Sequence, residues 1–237
     1  MKRALVQATI LLALTGVCGA AESGVPQAIS ASYEVSRNGR HVAVMNETFE
    51  THDGGYRIVS ESHAVGLLAL FERRPLRLTS SGRLTAAGLR PQLFEGKRGD
   101  ADPRQVRADF DWQGKQLTIA HDGRTDTLPL PPGTQDRLSA MYQFMFLVPD
   151  RSQELEFSMT NGRKLDRYRY TVHSGVEIET RLGRMSTVHL VKQHRPDESG
   201  AEIWLAPQHR YLPIKMLILE EDGSRYVQVI TKLEIKP

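Results

Sequence analysis

From Ala31 onward, apolar and polar residues alternate along most of the chain. Ala31, Tyr33 and Val35 share one face, and Ser32, Glu34 and Ser36 the other. A period of two marks a half-buried strand, because successive side chains of a pleated backbone point to opposite faces. The same pattern predicts strands in HVAVMNETFE, YRIVSES, VRADFDW, KQLTIAH, YRYTVHS, STVHLVK, LPIKMLIL and RYVQVITKLEI. In the last of these Val227, Val229, Thr231, Leu233 and Ile235 oppose Gln228, Lys232 and Glu234. Turn residues recur between the strands at hairpin spacing: Asn38-Gly39, Asp53-Gly54-Gly55, Gln113-Gly114, Asp122-Gly123, Asn161-Gly162, Ser174-Gly175, Ser199-Gly200 and Asp222-Gly223. Asn and Asp tolerate positive φ and Gly permits it, as tight β connections require. The pattern predicts an all-β, mainly antiparallel protein.

DRLSAMYQFMFLV, residues 136–148, breaks the pattern. Leu138, Met141, Tyr142 and Met145 recur at i, i+3, i+4 and i+7, and Ala140, Phe144, Leu147 and Val148 form a second stripe, interrupted only by Ser139 and Gln143. This spacing predicts a helix, entered through LPLPPGTQ and capped by Thr134 or Asp136. A helix apolar all round is normally buried. The expected architecture is therefore a strongly curved sheet or half-barrel wrapping one buried apolar helix. One stripe would meet the sheet; the other would face a second layer, a partner or an apolar ligand. Leu138, Met141, Tyr142 and Met145 become candidate ligand-binding residues, since flexible thioethers suit variable apolar partners. Trp204 joins them, although an indole at the end of a strand, like that of Trp112, also serves to close a β core.

The first residues change the cellular picture. Lys2 and Arg3, an apolar run from Ala4 to Leu14, and small residues through Ala21 compose a secretory signal peptide, too short in its apolar core to span a bilayer. The expected organisation is a signal peptide at 1–21, a polar leader at 22–30 and a single β domain at 31–237, with a periplasmic location and no transmembrane segment after cleavage. Cys18 is the only cysteine. Val17 before it is a poor fit to lipoprotein processing, and cleavage beyond it leaves no thiol for a disulfide, a nucleophile or a metal.

The 31 Lys and Arg against 28 Asp and Glu give +3, and loss of Lys2 and Arg3 leaves about +1. So small a charge supplies no general attraction to nucleic acid. The cluster Arg163, Lys164, Arg167 and Arg169 is interrupted by Asp166 and reads as a solvated strand face. His189 and His194 fall on opposite faces of a strand, and His52-Asp53 and His121-Asp122 fall at turns, so neither a metal site nor a cofactor is expected. Ser139 lacks the Gly-x-Ser-x-Gly frame of a nucleophile. Glu47, Glu50, Glu61, Asp109 and Asp111 are carboxylates within reach of one another only through cross-strand pairing, and no spacing selects a pair.

Five segments, GLRP (88–91), FDW (110–112), GTQDRLSAMYQ (133–143), SGVEIET (174–180) and EIWLAPQHRYLPI (202–214), together resemble a family of bacterial exported proteins, domain of unknown function 3108. The resemblance covers the chain beyond the signal and implies export and a β-rich domain. Many family members carry an acidic residue after the proline of the Trp-Leu-x-Pro piece, where this chain has Gln208. The turn at Trp204–Pro207 followed by Leu212-Pro213 also looks like the closing strands of periplasmic lipoprotein-sorting half-barrels, a likeness of fold alone. The expected function is non-catalytic binding of a lipid or other apolar ligand in cell-envelope maintenance. An envelope interaction or scaffold module with a protein partner, and a hydrolase of envelope polymers, are the alternatives.

Overall fold

The computed structural model describes residues 24–72, 74–99, 102–147, 149, 153–195 and 198–237. The signal peptide expected at 1–21, including Cys18, lies outside them. The strands are β1 (Ala28–Arg37), β2 (Arg40–His52), β3 (Gly55–Ala64), β4 (Leu76–Thr85), β5 (Gly88–Lys97), β6 (Val106–Asp111), β7 (Gln116–His121), β8 (Arg124–Pro129), β9 (Gln135–Asp136), β10 (Glu154–Thr160), β11 (Leu165–Thr180), β12 (Gly183–Lys192), β13 (Gly200–Ala206), β14 (Leu212–Leu219) and β15 (Arg225–Lys236), with one α-helix, α1 (Ser139–Leu147). Among the described residues no helix is long and apolar enough to cross a membrane.

Among the described residues the fifteen strands form one sheet, in the order β8-β7-β6-β5-β4-β3-β2-β1-β15-β14-β13-β12-β11-β10-β9. Neighbours pair antiparallel except β9, which lies parallel to β10. Each half is a meander of hairpins, and the first and last strands join the halves from Ala28↔Lys236 to Arg37↔Tyr226. Several hairpins turn through residues at positive φ: Asn38 and Gly39, Asp53 and Gly54, Asp122 and Gly123. Ser174-Gly175, expected as a turn, sits inside β11, where pairing with β12 shifts register between His173 and Val176; Gly175 at φ +74° makes a bulge and the strand runs on. The polar stretch 22–30, expected as a leader, ends in strand, because Ile29 continues the buried face of Ala31 and Tyr33 into β1.

The expected strongly curved sheet or half-barrel wrapping a buried apolar helix is not what the chain forms. The ladder is open: β8 and β9 end it and do not pair with each other. The helix has nine residues and touches only a small part of the sheet. Its C-terminal Leu147 is 40% exposed, and two of its five buried residues are the polar Ser139 and Gln143. Periodicity reports which face of each element is apolar. It carries no information on whether the two edges of a sheet meet, nor on how much of a short helix goes to capping.

The largest core cluster gathers one face of β1 to β7, with Ile29, Phe49, Ile58, Leu78, Phe94, Phe110, Leu117 and Ile119, under Leu138 and Tyr142 of the helical segment. Phe49 lies at its centre, fully buried, stacked on Tyr142 at 5.1 Å and on Tyr56 at 6.4 Å. Two smaller clusters lie under the other half, one around Tyr33, Trp204, Ile214 and Ile230, the other around Phe144, Tyr170, Leu190 and Leu205. Removing the Phe49 ring leaves a cavity among unyielding strands, so Phe49→Ala is expected to cost about 3–5 kcal/mol. Phe71, 84% exposed, packs against nothing comparable, and Phe71→Ala is expected to stay within about 0.5 kcal/mol. Urea unfolding of the two variants measures the difference, and equal losses would contradict this placement of the core.

Candidate ligand-binding site

The helix begins in a reciprocal cap. Asp136 Oδ1 accepts the backbone N–H groups of Leu138 and Ser139, both at 2.9 Å, and Ser139 Oγ accepts the N–H of Asp136 at 2.9 Å. The other carboxylate oxygen accepts the Ser80 hydroxyl at 2.6 Å, and Ser80 lies 3.2 Å from the Tyr56 hydroxyl. Burial pushes the Asp136 carboxyl above its ordinary range, and these hydrogen bonds pull against that. One turn on, Gln143 accepts the N–H of Leu89 at 2.7 Å and donates to Ala87 O at 2.8 Å, while Gln135 donates to Leu89 O at 3.0 Å. The two amides thus fasten the helix to the β4–β5 turn. Gly88 is required there: it stands at φ +102°, and a Cβ would come within 2.4 Å of Gln143 Oε1.

Between Asp136 and Leu138, Arg137 turns the other way, into a cavity of about 470 Å³. Val35 of β1, Val42 and Met45 of β2, Ala64 of β3, and Met216 and Ile218 of β14 give it mainly apolar walls. Arg137 is solvent-exposed along this open hollow. Among the described residues it makes no hydrogen bond or ion pair, whereas Arg98 in the same wall is already paired with Glu72 at 3.1 Å. Burial lowers the proton affinity of Arg137, and the charge of nearby Glu47 is the largest influence opposing this. Glu47 is itself buried beneath the helix, with Tyr142 donating to Oε2 at 3.4 Å. Desolvation raises its carboxyl, and hydrogen bonds from Ser60 and Tyr142 and the charge of Arg137 pull it back.

A second hollow, of about 590 Å³, lies between α1 and strands β5 and β10, walled by Trp112, Ala140, Phe144, Leu147, Leu155 and Phe157. It uses the helix stripe that was not singled out from the sequence. Of the residues that were, Leu138 and Tyr142 are core, and Met141 and Met145 are half-buried against the same cluster. Trp204 lies in a separate cluster, stacked on His189 at 4.2 Å with the Lys215 amine 4.4 Å from its ring centre. The structure brings the four helical residues together and leaves Trp204 apart; none of the five lines either hollow. Sequence reading missed Arg137 and the walls from β1, β2 and β14. The one available signal was a lone arginine set between a capping aspartate and an apolar stripe.

The remaining candidates do not converge. Glu50 and Asp111 are exposed, Glu61 pairs with Arg77, and Asp109 pairs with Arg107 at 2.6 Å. The basic cluster is neutralised locally, Arg163 by Asp122, Lys164 by Asp166, and Arg167 and Arg169 by Glu156. Among the described residues no group of three His, Cys, Asp or Glu is placed to hold a metal.

The fold is an open, mainly antiparallel sheet with a short helix packed on it. The family model for domain of unknown function 3108, described as a protein of unknown function, matches residues 32–230, and the chain belongs to that family. No curated protein matches the sequence. The fold is similar to the crystal structure of a beta-barrel-like protein of domain of unknown function 1849 from Brucella abortus, with a TM-score of 0.58 and 12% identity over 89% of this chain and 99% of that one. Two further solved structures align with TM-scores below 0.5. A domain ascribed to outer membrane lipoprotein sorting from Vibrio parahaemolyticus has a TM-score of 0.30 and 8% identity over 88% of this chain and 85% of that one. A protein of YmcC-like fold from Bacteroides fragilis, taken to be exported, has 0.32 and 9% over 87% and 95%.

Glu47 gives the site a pH signature. Its native pKa is raised, so between the ordinary 4.5 and the native value the folded chain holds more proton than the unfolded chain. Its contribution to stability therefore falls as pH rises from about 4.5 through the native pKa, then levels off. Glu47→Gln is expected to remove that fall, so the stability gained over the parent widens with pH in thermal melts. A difference independent of pH would contradict it.

Proposed function

We propose that this protein is an exported, non-catalytic envelope component that holds a lipid or acyl segment in the cavity over Arg137. The observation that carries the proposal is a mainly apolar hollow with the Arg137 guanidinium in its wall, hydrogen-bonded to none of the described residues, while Glu220 stands in the same lining. Ligand sites are typically clefts of roughly 300–1,000 Å³ with apolar linings and a few convergent polar groups. Met45 and Met216 supply adaptable thioethers on opposing walls. The guanidinium, with no hydrogen-bond partner among the described residues, favours an amphiphile with an anionic end. The signal peptide read at 1–21 supports export, and carboxylates that are spread out, Glu61 and Asp109 paired with arginines, support the non-catalytic reading.

Ala64 lines the cavity directly opposite Ala43 in the β2–β3 ladder, and both are small. Ala64→Phe fills the space from a strand whose pairing it leaves alone. Delipidated protein titrated with the fluorescent fatty acid cis-parinaric acid is expected to bind it, and Ala64→Phe to bind at least about tenfold more weakly, ~1.4 kcal/mol, with an unchanged melting temperature. Absence of binding by the parent chain, or equal binding by the filled variant, would contradict the proposal.

A further inference from the structure

The connection between β3 and β4 differs from the Asx-Gly turns elsewhere. It is Val65-Gly66-Leu67-Leu68-Ala69-Leu70-Phe71, a 3₁₀ helix over Gly66–Leu70 closed by the Phe71 and Glu72 N–H groups on Leu68 O. No residue of that helix is buried: Leu67 is 80% exposed, Leu68 45% and Leu70 64%, and Phe71 beside them 84%. Scattered surface leucines need no explanation, but four large apolar side chains on one protruding turn mark an interaction site.

At the foot of this tip lies a groove of about 640 Å³, where Leu67 and Leu68 face Arg37, Arg40 and His41. No carboxylate is among the groove's lining residues; Arg37 reaches Asp222 outside it, at 3.6 Å. Val42 and Leu68 line both this groove and the cavity over Arg137, so tip, basic groove and apolar cavity are adjacent.

We propose that the tip at 66–71 and the basic groove beneath it form a docking surface for a lipid bilayer bearing anionic headgroups: Leu67, Leu70 and Phe71 enter the acyl boundary and Arg40 meets the phosphates. Three observations favour a bilayer over a protein. The flanking strands are paired on both sides, β3 with β2 and β4, and β4 with β3 and β5, so the tip offers no free edge for strand addition. Its side chains are leucine and phenylalanine, common in segments that lie in the membrane interface, whereas protein hot spots favour Trp, Tyr and Arg and under-represent Leu. Cations stand beside the apolar tip without acidic neighbours in the groove, which complements anionic lipid. Any role of the adjacent cavity rests on the ligand reading above; the docking surface does not.

The test is co-sedimentation of the chain lacking residues 1–23, which precede β1, with vesicles of phosphatidylethanolamine and phosphatidylglycerol, and with phosphatidylcholine vesicles for comparison. Binding is expected to the anionic vesicles and to weaken with salt. The double variant Leu67→Ser, Phe71→Ser is expected to bind at least tenfold more weakly with an unchanged melting temperature, and Arg40→Glu to lose the preference for anionic lipid. Ala64→Phe, which fills the cavity, is expected to sediment like the parent, so failure of the ligand reading would leave this result standing. The proposal is overturned if the parent chain does not bind the anionic vesicles, if the tip variant binds equally, or if the tip proves to mediate self-association in solution without vesicle binding.

Discussion

The ladder between β1 and β15 is the constraint on which the rest of the molecule depends. It joins the two ends of the chain through ten paired residues on each strand, with one register shift between Ser32 and Tyr33. Every other antiparallel pairing joins consecutive strands. The cavity exists because of this seam: Val35, Val42 and Met45 come from one side of it, Met216, Ile218 and Tyr226 from the other. Closing a loop of nearly the whole chain is entropically costly and must be repaid by contacts made only once both halves are present. A fold dominated by such pairing is expected to fold slowly, by the general relation between contact order and rate.

Much of the architecture was legible because it is local. Alternation located β1, β2, β3, β6, β7, β11, β12, β14 and β15 but did not single out β4, β5, β8, β9, β10 or β13, and Asn38-Gly39, Asp53-Gly54 and Asp122-Gly123 located turns through the positive φ that those residues accept. Ser174-Gly175 misled because the same glycine chemistry serves a bulge as well as a turn. The helix was legible in position but not in use. Its first turn is spent on the Asp136 and Ser139 cap, and its two polar residues are buried to satisfy backbone groups. A pattern that counts apolar residues cannot price those hydrogen bonds.

The site was the least legible part. Side chains that line a hollow and side chains that fill a core are the same types at the same spacing. Met141 and Met45 illustrate this: one packs against the main cluster, the other faces the cavity. The difference is set by what stands opposite, which depends on the β1–β15 seam and on strands far away in sequence. Arg137 and its coupling to Glu47, one of the five carboxylates named from the sequence, were hidden for a related reason. They are ninety residues apart, and they influence each other because burial removes the water that would otherwise screen them.

The most direct measurement is a native mass spectrum of the protein taken from the cell envelope without exposure to delipidating solvent. The expected spectrum shows the chain carrying an amphiphile that is lost on organic extraction, and shows Ala64→Phe without it. A bare mass for both chains, in protein that is folded by its melting curve, would contradict the view that the space over Arg137 is a binding site.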